Sequence, residues 1–298
     1  MVASVLLLVV FLLAAWHGMQ GQRTYDEHAF SIGRTTLKAA ASEVAAMVRN
    51  LQDRIQLFAR EYRTEISELA QNTDDARLRA RLNERLSSYF PDYFAFTIAD
   101  ADGHPLLQDI DSMIGQRCRA DLQHFSELVV TLGAAYRNPT VLHPQPGNFH
   151  FDVMAPWQGR NGDNGSAARG VFFVSFRPPL LTEVLRRNSL AGYQLLVVRQ
   201  DQPTLIEASA RGSRDQLVRE GYLDAQEMAR ISQSRAIEGT GWKLVLLPDA
   251  DLQAKVRREI WIQVALIIAA AVLLAVLVLL ATAWLNGRSR NGQEAVRD

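Results

Sequence analysis

Phe90–Leu106 reads FPDYFAFTIADADGHPL. Pro91 ends any helix before it, because the residue preceding a proline is pushed out of the helical region. Tyr93–Ala99 is rich in aromatic and β-branched residues, the composition of a strand. Asp100-Ala101-Asp102-Gly103 then supplies turn chemistry and leads into a short strand at Pro105–Gln108. The stretch predicts a sheet entered directly from a helix, and the flanking sequence extends that pattern both ways.

Upstream, Leu37, Ala41, Val44, Val48, Leu51, Ile55, Phe58, Tyr62, Ile66 and Leu69 form a heptad-like apolar stripe. Its alternation of four- and three-residue steps is broken once, at Tyr62–Ile66. A helix carrying this stripe is about 50 Å long at 1.5 Å per residue. It is expected to pack along its own domain and, in its membrane-near part, to pair with a second subunit. A second helix is expected at Asp74–Ser88, with Leu78, Leu82 and Leu86 on one side.

Downstream, a helix is expected at Asp121–Arg137, then strands near Thr140–His143, Asn148–Trp157 and Gly170–Phe176. Gly159–Arg169 is read as a polar hairpin loop, and Leu180–Arg187 as a helix after Pro178-Pro179. Strands at Tyr193–Arg199, Thr204–Ser209 and Trp242–Leu247, with helices at Asp215–Glu220 and Ala225–Gln233, make a second, smaller lobe. Helices and strands in this order predict an α+β fold: a long N-terminal helix, an antiparallel sheet lobe and a second sheet lobe.

The two ends are apolar. Val2–Met19 carries no charged side chain, and Ile260–Leu285 exceeds the roughly 20 residues needed to cross the hydrocarbon. Trp261 and Trp284 stand near the ends of the second stretch, where interfacial aromatics belong. The first lacks the basic start and small-residue cleavage site of a signal peptide, so it is read as an uncleaved anchor. The expected division is a transmembrane anchor over 1–20, helix and first lobe over 21–190, and second lobe over 191–259. A transmembrane helix over 260–285 and a cytoplasmic tail over 286–298 complete it. The lobes then lie on the outer side of the membrane. With 32 basic and 32 acidic side chains, the chain has no net charge to attract nucleic acid. Cys118 is the only cysteine, so no internal disulfide forms.

The chemistry-bearing residues gather in Gly147–Trp157, GNFHFDVMAPW. Strand alternation puts His150 and Asp152 on one face and Phe149, Phe151 and Val153 on the other. Ser175 and Arg177 alternate with Val174 and Phe176 on the next strand. His150, Asp152, Ser175 and Arg177 then offer donors and acceptors to a polar ligand. Tyr93, Phe173 and Trp157 are expected as walls, and Thr97 shares a face with Tyr93. Structural hydrogen bonding is the leading reading of His150 and Asp152, with the ligand pocket next. A metal held by His143, His150 and Asp152 ranks behind both, and no cofactor is expected. Cys118, between Arg117 and Arg119, is read as a buried inert thiol. Asp100, Asp102 and Asp109 lack the spacing of a calcium loop and are read as turn residues. No nucleophile elbow, zinc-protease motif or phosphate loop is found, so no enzymatic activity is expected.

This layout resembles the Cache family, the PAS-like extracytoplasmic sensor domains of bacterial transmembrane receptors. The resemblance covers roughly Arg34–Glu259 and is carried by FPDYFAFTIADADGHPL, GVFFVSFRPPLLTEVL and GTGWKLVLLPDADL. IGQRCRADL, HFDVMAPW and FFVSFRP are similar to sensor regions attached to diguanylate cyclases. The resemblance implies a small-molecule ligand and signalling across the membrane. The chain departs from the pattern in lacking a GGDEF block, a kinase ATP site and the ligand constellation of amino-acid-binding members. Either a separate output protein is expected as partner, or the sequence is a piece of a larger receptor. The competing reading is a membrane-anchored scaffold that dimerises through its helix and binds no ligand.

Overall fold

The structure is a computed structural model describing residues 2–107, 116–132, 142–143, 149–161, 167–217 and 219–294. The chain forms two compact units, one of Met1–Ile32 with Asp249–Asp298 and the other of Gly33–Pro248.

Helix α1 runs Val2–Glu61, breaks at Tyr62, and resumes as α2, Arg63–Gln71. The break falls where the apolar stripe changes step, two successive fours carrying the seam around the helix. From Leu37 to Leu69 the stripe lies in the chain's own core, only Tyr62 remaining half-buried. Asp75 caps α3, Ala76–Tyr89, by accepting hydrogen bonds from the Arg77 and Leu78 amides. Leu78, Leu82 and Leu86 are its buried face.

Strand β1, Tyr93–Ala99, follows at once, and after it come α4, Gln116–Leu132, and β2, Leu142–His143. Strands β3, His150–Asn161, and β4, Ala167–Phe176, complete a four-stranded antiparallel sheet in the order β1-β4-β3-β2. Helix α5, Pro179–Arg187, leads to the second lobe. Strands β5, Tyr193–Arg199, β6, Ile206–Ser209, β7, Gly212–Ser213, β8, Gln233–Ala236, and β9, Trp242–Pro248, form a second antiparallel sheet, ordered β7-β6-β5-β9-β8. The α+β architecture with a long N-terminal helix is as the sequence predicts.

One core serves both sheets. Phe96, Phe151, Val153, Trp157, Phe172 and Phe176 face the α1 stripe together with Leu195, Trp242 and Leu244. Each buried side chain of this size contributes about 1.5–3 kcal/mol. Phe151 and Trp242 meet edge to face, with centroids 5.9 Å apart, and so join β3 to β9. The outer face of the first sheet, Ala99, Met154, Val171 and Phe173, lies under Cys118, Leu122 and Phe125 of α4. In the second lobe the Glu207 carboxylate, fully buried, is held by Arg214 and lies 3.7 Å from Arg199.

Two glycines are forced by geometry. Gly103 sits at φ 82° in the Asp-Gly turn, and a Cβ there meets the Gln123 backbone at 2.6 Å. The turn is pinned by Asp100, whose carboxylate accepts from the amides of Asp102 and His104, and by Ser126 of α4, which donates to the Ala101 carbonyl. At Gly170 a Cβ lies 2.0 Å from the Ala99 carbonyl oxygen, because the end of β1 runs close beside its ladder partner β4 there.

Several element boundaries differ from the prediction. Helix α4 begins at Gln116, ahead of Asp121, and its expected end at Arg137 lies outside the described residues. Strands β3 and β4 continue through polar sequence, pairing Gln158 with Arg169 and Asn161 with Ala167, well inside the expected loop; 162–166 lie outside the described residues. A ladder propagates on backbone bonds and tolerates polar side chains on an exposed run. Asp215–Glu220 holds only a 3-10 turn at Arg214–Gln216, since Arg214 is drawn to Glu207 and the Ile206 carbonyl. Helix α6, Ala225–Arg230, stops short of the expected Gln233 because Gln233 belongs to β8 and pairs with Leu246 of β9. The expected strand at Pro105–Gln108 is a single bridge, Ala99 to Pro105. Gln108, Thr140 and Asn148 lie outside the described residues.

In the other unit, α7 runs Leu252–Glu294. Within it Ala254–Trp284 is the one stretch among the described residues found long and apolar enough to cross a membrane, where two spans were expected. The start of α1 packs on α7: Ala14 and Val264 are buried, and a Cβ on Gly18 comes within 2.8 Å of Val264.

Candidate functional site

Alternation along β3 turns His150, Asp152 and Met154 toward α4, and Phe151, Val153 and Ala155 toward α1. The ladder sets Asp152 opposite Ser175 on β4, and Ser175 opposite Ala95 on β1. The result is a polar patch in the middle of an otherwise apolar face. His150, Asp152 and Ser175 are 1%, 6% and 4% exposed. Ser175 Oγ donates to Asp152 Oδ1 at 2.6 Å, and His150 Nε2 lies 3.7 Å from that same oxygen. Cys118, equally buried at the start of α4, holds its Sγ 3.9 Å from His150 Nε2.

Phe94 completes the arrangement. A register shift between Tyr93 and Ala95 frees it from the ladder alternation, and its ring stacks on His150 with centroids 5.8 Å apart. The Arg177 guanidinium lies 5.3 Å from the Phe94 centroid on an exposed side chain, so the ring stands next to both cation and imidazole. Beside it, burial pushes the Asp92 carboxyl above its ordinary range, and Arg177 pulls it partly back.

The eight residues singled out from sequence separate into two groups. His150, Asp152, Ser175, Thr97 and Phe173 lie on the α4 face, and Arg177 borders it. Thr97 is fully buried, its hydroxyl 3.4 Å from the Ile98 carbonyl. Tyr93 and Trp157 belong to the opposite, α1-facing core. The shift at Phe94 turns Tyr93 across the sheet, where its hydroxyl donates to Asn83 at 2.6 Å. Trp157 is two residues in phase with Phe151 and Val153, and its indole nitrogen donates to the Ala99 carbonyl at 3.3 Å. His143 stands opposite His150 in the β2–β3 ladder; its side chain is outside the described atoms.

Sequence reasoning missed Phe94 and Cys118 as members of this cluster. Nothing local announces the shift that swings Phe94. Cys118 is separated from His150 by 32 positions, and only the crossing of α4 over the sheet unites them.

A cleft of about 1140 Å³ opens nearby, lined by Arg60, Arg63, Arg169, Gln56, Gln158 and Ser126 among others. Of the eight sequence candidates Trp157 alone lines it. Among the described residues its charged lining is cationic, which suits an anionic solute.

No family model matches the sequence, and no curated protein sequence matches it. Solved structures resembling it are periplasmic or extracellular sensor domains. The sensor domain of the Vibrio cholerae histidine kinase DctB aligns with TM-score 0.48 and 11% identity, over 75% of this chain and 98% of that one. An extracellular ligand-binding receptor from Desulfohalobium retbaense aligns with TM-score 0.41 and 18% identity over 72% of this chain, which spans 39% of the receptor's length. The ligand-binding domain of the Pseudomonas aeruginosa amino-acid chemoreceptor PctB, solved with L-Gln, aligns with TM-score 0.41 and 13% identity, over 74% of this chain and 89% of that one. These TM-scores stay below 0.5, so the functional reading rests on the chain's own geometry.

Proposed function

We propose that the chain is a membrane-anchored, non-enzymatic sensor whose first lobe binds a small solute on the α4 face of its sheet. One observation carries this reading: a histidine, a carboxylate and a hydroxyl are buried together on a sheet face whose other members, Thr97 apart, are apolar. Buried polar groups need partners, and donors and acceptors gathered on one face can be matched by a polar solute.

The transmission route starts on the same strand. Asp152 faces α4 while its neighbour Phe151 touches Trp242, the first residue of β9. Strand β9 ends at Pro248 and α7 begins at Leu252, so a shift of β3 enters the helix that carries Ala254–Trp284. The packing of Gly18 on Val264 supports a second span at the start of α1. On this reading the domains divide as the sequence suggests, with both lobes periplasmic at a bacterial inner membrane. The signal passes through a homodimer to a separate output protein. A ligand drives such a change only through different affinities for two states.

The test is thermal unfolding of the full chain in detergent, screened against metabolites, anions and divalent ions. A specific, dose-dependent rise in midpoint that Ser175→Ala abolishes, in a variant that still melts cooperatively, is expected. A rise abolished instead by Arg169→Gln moves the ligand to the arginine-lined cleft. A chain that no solute stabilises, and that stays dimeric, is a scaffold.

A further inference from the structure

Cys118, His150 and Asp152 do more than make the α4 face polar. Their potential ligand atoms, Sγ, Nε2 and a carboxylate oxygen, all lie within 4.8 Å of one another, and all three residues are buried. Tetrahedral zinc, with a zinc–sulfur distance of about 2.3 Å and nitrogen or oxygen at about 2.1 Å, holds its sulfur and nitrogen about 3.6 Å apart and its nitrogen and oxygen about 3.4 Å apart. The corresponding separations here are 3.9 and 3.7 Å. Contraction by a few tenths of an ångström suits the two pairs that share the imidazole nitrogen, while the sulfur–oxygen pair, within 4.8 Å, has to close toward about 3.6 Å.

We propose that Cys118, His150 and Asp152 bind a divalent transition-metal ion, zinc or a metal of like preference. This deepens the sensory reading and rests on it for the ion's use as signal. The donor set selects the class of ion: thiolate and imidazole suit zinc, cobalt or nickel, whereas calcium and magnesium call for oxygen alone. Three protein ligands leave a fourth position for water or an incoming solute, as in sites where exchange matters.

Two neighbours position the ligands. Ser175 Oγ donates to Asp152 Oδ1, fixing which carboxylate oxygen is presented, and the Phe94 ring lies against the imidazole. The elements differ as well. His150 and Asp152 ride together on β3, and Cys118 arrives on α4, so an ion clamps helix to sheet. Binding thereby couples α4 to the strand whose other face reaches Trp242.

The experiment uses the untagged full chain in detergent, stripped by chelator and titrated with cobalt chloride. Cobalt–thiolate bonds absorb in the near ultraviolet, and tetrahedral cobalt gives intense visible bands. The chain has one cysteine, so a thiolate band in the unmutated protein identifies Cys118 without any variant. The expected result is saturation at one equivalent with a thiolate band that zinc chloride bleaches. His150→Gln and Asp152→Asn should abolish tetrahedral binding, and Ser175→Ala should weaken it about 10- to 100-fold, the usual effect of losing an outer-shell partner. Saturating cobalt with no thiolate band overturns the site. If that happens while an organic solute still raises the melting midpoint, the metal fails and the sensory reading stands. A thiolate band in a protein whose Trp242 fluorescence, isolated by Trp→Phe replacement of the other four, is unmoved by zinc supports the metal site and overturns its use as signal.

Discussion

At the scale of single residues, the strand face that a side chain occupies decides its role. His150, Asp152 and Ser175 were legible as one polar face because alternation along a strand needs only the sequence. Tyr93 was not, since the irregularity at Phe94 inverts the alternation and no local residue type signals it. Its placement has a measurable consequence. Burial raises the Tyr93 phenol above its ordinary value near 10, so the folded state favours the neutral form. A group raised in this way stabilises fully below its unfolded pKa and loses that contribution as pH rises beyond it. The melting midpoint should therefore fall more steeply between about pH 9.5 and 11 in the native chain than in Tyr93→Phe. Parallel profiles for the two proteins would place the Tyr93 ring in solvent.

Among elements, the decisive contacts are close approaches that patterning alone cannot reveal. The apolar stripe foretold a long helix that packs along its own domain, because burial on one side imposes a period, but one helix was expected through Leu69 and it breaks at Tyr62. Which elements it packs against was not legible: from Leu37 onward it faces the two sheets of its own chain. Any dimer contact in this region must therefore use another surface of α1. The polar hairpin was also misjudged, for strands β3 and β4 pair well into it. The close pairing of β4 with the end of β1 depends on Gly170, whose missing side chain leaves room for the Ala99 carbonyl. Gly170→Ala places a methyl against backbone that has no rotamer to yield, and should cost about 2–3 kcal/mol or more. Denaturant midpoints of the two proteins measure it. An unchanged midpoint would mean that the strands separate freely there, and that the α4 face above them is not rigid.

For the whole molecule, the composition and the two apolar ends pointed to a membrane-held protein, and α7 supplies a helix fit to span. The cluster under α4 lay beyond sequence reasoning, because α4 and β3 meet only through folding. The architecture gives that cluster a route outward. Strand β3 carries His150 and Asp152 on one face and Phe151 on the other, and Phe151 reaches the strand that precedes α7. The claim that the α4 face receives the ligand is tested most directly by amide hydrogen exchange. The full chain is compared with and without the solute or ion that raises its melting midpoint. Slowed exchange concentrated in β3, β4 and α4, with a smaller change in β9, is the predicted result. Protection confined to the second lobe, or to Gln56–Arg63 of α1 and α2 with β3 and β4 unchanged at Asp152 and Ser175, would contradict it.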